Sequence, residues 1–454
     1  MAVWSEVMVS TIRERRRFDA DYYRPEYLRI ERVLRSRSAW TTLGALARPL
    51  FSKGIFDIKA EEYVESGVPF VRITNLRDCT IDSNGMVYLT PERSKKDIRT
   101  ELAQYDIVLS KTAYPAASLV QLPICNVSQD IIAVKTNRDR KFNCFLVAFL
   151  NGRFGLPQMK RLFQGNIQSH LGLTEARQIV VPLPNEQFLT EIEQLFISAV
   201  LNRDHSDILY DSAQQILEKE LGLNKIDFSH HVGYETCLTE IFRSRRWDAQ
   251  HYRPKYGTLL NVILKAPDHE LLRDIVMYNQ RGLQPDYVPG GSVAVVNSQH
   301  IGPQHLAYDQ FERTSEDALI SASRARILKN DVLVYTTGAY VGRTNVFLGD
   351  MPALASNHVN TLRLRPGYDA AYIALVMNSP VGLLQTEKHA TGSTQAELYP
   401  SAIAKFLIPI LNLKTMTAIG DKVRASYMAL CEAKNPLEQA KRRVEEMIEQ
   451  DGKR

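Results

Sequence analysis

The chain has only five cysteines in 454 residues: Cys79, Cys125, Cys144, Cys237 and Cys431, scattered and odd in number. It has no Cys-x-x-Cys pair and no His-x-x-x-His, so neither a disulfide framework nor a zinc site of ordinary spacing is predicted. The thiols read as reduced, which predicts a cytoplasmic location. No apolar run reaches the ~18 residues of a membrane span. Met1 to Ser10 lacks the basic start and apolar core of a secretory signal. Also missing are an Asn/Asp-Pro-Pro-Tyr/Phe tetrapeptide, a Gly-x-Gly strand turn and a Gly-x-x-x-x-Gly-Lys-Ser/Thr phosphate loop. These absences argue against a self-contained adenine methyltransferase and against an ATP-driven motor. The adjacent pair His230-His231 points its side chains apart and reads as solvated, not metal-binding. The carboxylates form no catalytic pattern. The chain is therefore predicted to be non-catalytic, with no cofactor or metal of its own.

What is present is globular: 44% apolar and 24% charged residues, in a length that holds two or three domains. The net charge of +5 is compatible with a polyanionic partner. Arg13, Arg15, Arg16 and Arg17 form one basic cluster, and Arg243, Arg245 and Arg246 another. They read either as a shared phosphate-facing edge or as solvated element ends that duplicated with a domain.

The chain says nearly the same thing twice. Phe18-Asp19-Ala20-Asp21-Tyr22-Tyr23-Arg24-Pro25-Glu26-Tyr27 returns 229 residues later as Trp247-Asp248-Ala249-Gln250-His251-Tyr252-Arg253-Pro254-Lys255-Tyr256, with six of ten positions identical. A period so long means a duplicated domain, not a stack of short repeats. Four further blocks recur in the same order. Residues 102–112 match 327–337, each a turn with Asp before a short apolar strand; 126–134 match 355–363; 165–171 match 392–398; and 180–184 match 407–411. Within each copy β-rich runs alternate with short helical ones, as in a compact α+β domain on a curved sheet.

After each copy the period changes. Met416, Ile419, Val423, Leu430, Ala433, Leu437, Ala440, Val444 and Met447 trace a heptad-like seam that skips Ser426. Phe188, Ile192, Leu195, Ala199, Asn202, Leu209, Ala213 and Ile216 repeat it less cleanly, and Gly222 follows as a stop. Each helix would be roughly 50 Å long. The pair is expected to pack antiparallel, as a ruler between two domains; the alternative is a helix packed on its own domain. Pro436 predicts either a bend or two segments.

In combination these blocks resemble the specificity subunit of type I restriction–modification systems. The residues that carry the resemblance are Gly67-Val68-Pro69-Phe70-Val71, the Asp turn and strand at 106–112 and 331–337, and Gly338-Ala339-Tyr340-Val341-Gly342. Ser356-Asn357-His358, Ala390-Thr391-Gly392-Ser393-Thr394-Gln395, and the Val180-Val181-Pro182-Leu183-Pro184 strand before a long helix complete it. The likeness covers nearly the whole chain. The first copy departs from it at Ala113-Tyr114-Pro115-Ala116-Ala117, where glycines are expected.

The resemblance implies two target-recognition domains, 1–184 and 223–411, and two spacer helices, 185–222 and 412–450. It implies a reader of a bipartite, asymmetric site in double-stranded DNA that directs two methyltransferase subunits to adenine N6 for phage defence. S-adenosylmethionine then belongs to those partners, and ATP and Mg²⁺ to a nuclease/translocase partner where one exists. An equivalent subunit of another defence complex and a protein-interaction scaffold are the alternatives.

Distinct bases are read in the major groove by Arg or Lys on guanine and Asn or Gln on adenine. Candidate readers are Arg72, Asn75, Lys111, Gln168, Ser169 and His170 in the first copy. In the second they are Arg281, Gln284, Asn297, Gln299, His300, Thr336, Asn357, His358 and Gln395. For each, a loop-stabilising hydrogen bond is the alternative. Lys53, Lys95, Lys96, Arg153, Lys160, Arg324, Arg326 and Lys388 are the candidates for phosphate contacts, which position without specifying. Tyr22, Tyr23 and Tyr252 read as framework.

Overall fold

The computed structural model describes residues 4–56, 58–83, 85–164, 170–228, 233–392 and 395–451. The chain divides into two compact units, Met1–Arg203 with Cys431–Arg454, and Asp204–Leu430.

The first unit's strands are β1 (Trp40–Thr42), β2 (Leu50–Lys53), β3 (Val68–Val71), β4 (Val87–Leu89), β5 (Leu102–Ala103) and β6 (Ile107–Ser110). They continue with β7 (Ala117–Leu119), β8 (Ile124–Val127), β9 (Ile131–Lys135), β10 (Phe163–Gln164), β11 (His170–Leu171) and β12 (Val180–Pro182). One sheet runs β2-β9-β6-β7, all antiparallel. A second runs β4-β3-β8-β5, with β3 and β8 parallel. β1 pairs with β12. The apolar run of β6 is buried on both faces because alternate side chains enter different cores. Ile107 and Leu109 join one hydrophobic cluster, while Val108 joins another.

The second unit's strands are β13 (Asp268–Leu271), β14 (Val276–Arg281), β15 (Val293–Val296), β16 (Glu312–Thr314), β17 (Arg326–Ile327) and β18 (Val332–Tyr335). β19 (Thr344–Val346), β20 (Ala353–Ala355), β21 (Val359–Leu364) and β22 (Leu407–Ile410) follow. The sheets repeat the first unit's orders: β14-β21-β18-β19, β16-β15-β20-β17 with β15 and β20 parallel, and β13-β22. The fold is thus α+β with two β-rich units of one topology, as the repeat predicts.

The duplication extends to side chains and backbone angles. Arg17 and Arg246 each pair with the Asp two residues on. Tyr23 and Tyr252 each donate a hydroxyl to the carbonyl of that arginine, at 2.9 and 2.5 Å. Pro25 and Pro254 then open helices α1 (Pro25–Arg35) and, in the second unit, Pro254–Ile263, where a missing N–H is harmless. The repeated tyrosine–arginine–proline stretch is framework. Arg15, in the first basic cluster, bonds Glu31 and Tyr22, and Arg161 bonds the same carboxylate from α3 (Leu156–Leu162). Burial alone would raise the Glu31 carboxyl, but these arginines hold it down at about 2. Left-handed residues also recur in pairs, Arg16 with Arg245 and Tyr105 with Asn330. Asp106 and Asp331 each close the turn that holds the left-handed Tyr105 or Asn330 by accepting a backbone N–H, from Ala103 at 2.8 Å and Leu328 at 2.7 Å.

Between strands lie α2 (Arg140–Asn151) and α3 in the first unit. The long helix α4 (Glu186–Leu221) contributes Leu189, Ile192 and Phe196 to the first unit's core. The second unit adds α5 (Pro254–Ile263), α6 (Ala370–Asn378) and α7 (Pro380–His389), and α8 (Leu413–Asp451), continuous through Pro436, begins in the second unit and ends in the first. Within the first unit, Ala440, Val444 and Ile448 of α8 pack with Ile192 and Phe196, and Arg443 pairs with Glu191. Within the second, Ile419 and Val423 pack with Tyr210, Ala213 and Leu217. Each helix half therefore joins its unit's core and also the other helix. Ser426, skipped by the apolar spacing, lies buried in the seam. Its hydroxyl donates to the Ser206 carbonyl at 2.7 Å, and Ser206 returns the bond at 2.8 Å. On α4 the buried positions include Ser206, Tyr210 and Leu217, beside or between the expected Leu209 and Ile216. Serine and tyrosine at seam positions blur the apolar period.

Candidate nucleic-acid interface

At one end of the β6–β9 sheet four stretches of chain are tied together. Gly54 N–H donates to Ile131 O at 2.9 Å, Lys111 N–H to Asp130 O at 2.9 Å, and Leu171 N–H to Lys111 O at 2.8 Å. The second unit repeats this: Gly282 N–H to Val359 O at 2.9 Å, Thr336 N–H to His358 O at 3.0 Å, Leu398 N–H to Thr336 O at 2.8 Å. Isolated bridges match as well, Thr112 with His170 and Thr337 with Glu397. Glycine is required at the first position. A Cβ on Gly54 would stand 2.2 Å from Ser128 O, and one on Gly282 2.0 Å from Ala355 O.

These ties make the side chains of the two ends equivalent one by one. Lys53 corresponds to Arg281, Lys111 to Thr336, Gln129 to Asn357, Asp130 to His358 and His170 to Glu397. No pair is chemically alike except Lys53 with Arg281 and Gln129 with Asn357. Lys53 is exposed and stands over the Phe56 ring at 5.9 Å. Arg281 pairs with Glu397 at 2.7 Å and lies 4.7 Å from the Tyr399 ring. The Tyr399 hydroxyl also bonds Glu397. Hydrogen bonds from Tyr399 and Arg281 hold the Glu397 carboxyl below the usual range. Asn357, His358 and Gln395 are exposed beside it.

The structure thus brings together Lys53, Lys111 and His170 in the first unit, and Arg281, Thr336, Asn357, His358 and Gln395 in the second. Three expected readers face inward. Asn75 is fully buried, accepting from Arg72 N–H at 3.0 Å and donating to Asp82 O at 3.0 Å. His300 occupies the corresponding turn, accepting from Asn297 N–H at 3.0 Å, and burial holds its imidazole near 4, hence neutral. Thr336 is buried and its hydroxyl donates to His358 O at 2.9 Å. For these the loop-stabilising alternative describes what is seen. Arg72 donates to Gly85 O at 2.7 Å. Asn297 accepts from the Tyr287 hydroxyl at 3.1 Å, while Gln284 and Gln299 are exposed. Gln168, Ser169 and the pair His230-His231 lie outside the described residues.

The expected phosphate contacts lie on other elements. Lys95 and Lys96 end the helix Pro91–Lys95, Lys160 is exposed on α3, Arg324 and Arg326 are exposed at β17, and Lys388 is in the last turn of α7. Arg153 instead pairs with Glu445 and Glu449 of α8. Gln129, Asp130 and Glu397 were not singled out by the sequence as readers. Only the alignment of the two copies, carried out position by position, could have found them. Among the described residues no three His, Cys, Asp or Glu side chains gather into a metal-binding group, and no helix is long and apolar enough to cross a membrane.

No protein-family model matches the chain, and no curated protein does. Among solved structures it is similar to the type I restriction–modification S subunit from M. genitalium. That likeness has 10% identity and a TM-score of 0.37, over 90% of this chain and 95% of that one. It is also similar to the HsdS subunit from Thermoanaerobacter tengcongensis, at 12% identity and a TM-score of 0.28, over 91% and 95%. A third likeness is to a structure from work on complex assembly and conformational transition of the type I R-M system, at 13% identity and a TM-score of 0.28, over 91% and 97%.

Proposed function

We propose that this chain is the sequence-reading subunit of a DNA-modification complex of the type I restriction–modification kind. Each unit reads one half of a bipartite, asymmetric duplex site. In this reading residues 1–184 and 223–411 recognise DNA. Residues 185–222 and 412–450 set the gap and dock two methyltransferase subunits, which supply S-adenosylmethionine. A nuclease partner, where present, uses ATP and Mg²⁺. The chain itself performs no chemistry.

One observation carries the reading. Two units of one topology share their framework down to paired hydrogen bonds, yet differ in side-chain chemistry at the equivalent end of each sheet. An enzyme duplicated for catalysis would keep the end groups and let the framework drift. A reader of two different half-sites needs the opposite. The chemistry at the ends suits bases: Lys111 as a donor, Asn357 and Gln395 as amides, and Asp130 as an acceptor for cytosine N4. Lys95, Lys96, Lys160, Arg324, Arg326 and Lys388 remain the proposed phosphate contacts. Arg153 pairs instead with Glu445 and Glu449 of α8.

The test is reconstitution with the cognate methyltransferase. Site-selective adenine methylation should require this chain, and DNA affinity should fall steeply with salt as counterions are released. Full, selective methylation by the methyltransferase alone would refute the proposal. Absent or salt-insensitive DNA binding by the assembled complex would favour a protein-interaction scaffold.

A further inference from the structure

The connection from β18 to β19 contains an arginine for which the framework has no use. Its anchors are shared: Tyr335 N–H donates to Arg343 O at 2.8 Å, as Ser110 N–H donates to Ala116 O at 2.9 Å in the first unit. Between those anchors the second unit has residues 336–342 and the first only 111–115, so the second loop is two residues longer. Arg343 stands where the first unit has Ala116, which is fully buried.

The guanidinium carbon of Arg343 lies 3.6 Å from the centroid of the Tyr340 ring, itself 50% exposed. Among the described residues no carboxylate or carbonyl bonds this guanidinium, whereas Arg281 in the same unit is neutralised by Glu397. Burial pushes the Arg343 pKa down, with only the two tyrosines opposing it. The loop is held at both ends. Gly338 N–H donates to Ala396 O at 3.1 Å, next to Gln395 and Glu397. At Gly342 (φ +93°) a Cβ would stand 2.6 Å from Thr386 Oγ1 on α7. Thus a planar, five-donor fork is fixed on an aromatic platform beside the second unit's reading end, with its hydrogen-bonding capacity unmet. A phosphate contact needs only a charge and tolerates a mobile side chain. A fixed plane suits bidentate recognition of two acceptors in one plane.

We infer that Arg343 reads a guanine in the half-site of the second unit, donating two N–H groups to O6 and N7, with Tyr340 as its platform. This rests on the DNA-reading function proposed above. The experiment is methylation mapping by the full chain assembled with its methyltransferase, for wild type, R343K and R343A. The wild-type site should contain a guanine in one half. Both variants should relax that position alone, raising relative methylation of sites lacking it by about 10- to 100-fold, with the other half-site unchanged. R343K keeps charge and stem, so it decides the matter where R343A fails to fold. An unchanged site preference in a folded variant overturns the assignment. So does a uniform loss at all sites in R343A that R343K restores, the mark of a phosphate contact. A wild-type complex with no preferred site overturns the DNA-reading function and this assignment together.

Discussion

Ala113 holds a φ of +65°, at the position where the second unit has Gly338 with φ +125°. The sequence shows an alanine where glycine is expected, and the backbone adopts the left-handed conformation anyway. A left-handed alanine costs about 1–2 kcal/mol, partly offset by the lower entropy of its unfolded chain. Ala113→Gly should therefore stabilise the first unit by about 0.5–1 kcal/mol in urea unfolding; a loss of stability would mean the loop relies on that methyl group. Charge at the residue scale gives a pH dependence. Burial holds His300, His305 and His389, all in the second unit, near 4. An unfolded histidine takes its proton near 6.5. The neutral buried state thus gives full stability above about pH 6.5, which is lost as pH falls toward 4. For His305 alone the loss at pH 5 is about 2 kcal/mol. Hydrogen exchange at pH 7.5 and 5.0 should locate the loss in 204–430, and an equal loss in both units would contradict this. Residue direction was the least legible part of the sequence. Asn75 and His300 have reader chemistry but are turned inward to hold a turn, and only tertiary packing decides that.

Between elements, two buried glutamines do the same work in both units. Gln158 donates to Val180 O at 3.0 Å and accepts Val180 N–H at 2.9 Å. Gln385 does so with Leu407 at 3.0 and 2.7 Å. Each amide completes the backbone bonding of a strand that pairs on one side only. Gln158→Leu leaves a buried N–H and C=O without partners and should destabilise the first unit by about 2–4 kcal/mol. Chemical denaturation checks it, and a loss under 1 kcal/mol would mean water replaces the amide. In the α4–α8 pair, the serines at 206 and 426 exchange hydroxyl–carbonyl bonds across the seam. Ser426→Leu overfills this contact and should cost about 1–3 kcal/mol. The strands, the Asp turns and the existence of both helices were legible, because apolar period and turn chemistry repeat in both copies. The seam register was not, since the residues where the helices meet include Ser206, Tyr210 and Ser426 rather than an apolar stripe.

At the scale of the molecule, the duplication was legible from one ten-residue stretch, and it forecast two units of one topology. How the chain divides was not. The chain passes from one unit to the other inside α4, after Arg203, and inside α8, after Leu430, so neither boundary falls at a loop or linker where composition shifts. The proposed function predicts asymmetric consequences at this scale. Replacing Asn357, His358 and Gln395 together should change one half of the recognised site and leave the other intact, as methylation mapping would show. Lys160→Ala or Arg326→Ala should instead weaken binding to all sequences alike and lower the log–log salt slope by about one. A changed base preference from either would contradict their assignment to phosphate. Ala440, Val444 and Ile448, far along the chain, lie in the same core as Leu43, Phe145 and Ile192. The first unit therefore cannot close until α8 has been synthesised, whereas the second, contiguous from 204 to 430, can finish earlier. A message cut short after Leu430 would yield a folded second unit and an unfinished first one. On the proposed function, half a recognition code would survive, and the machinery it directs would be left without a complete address.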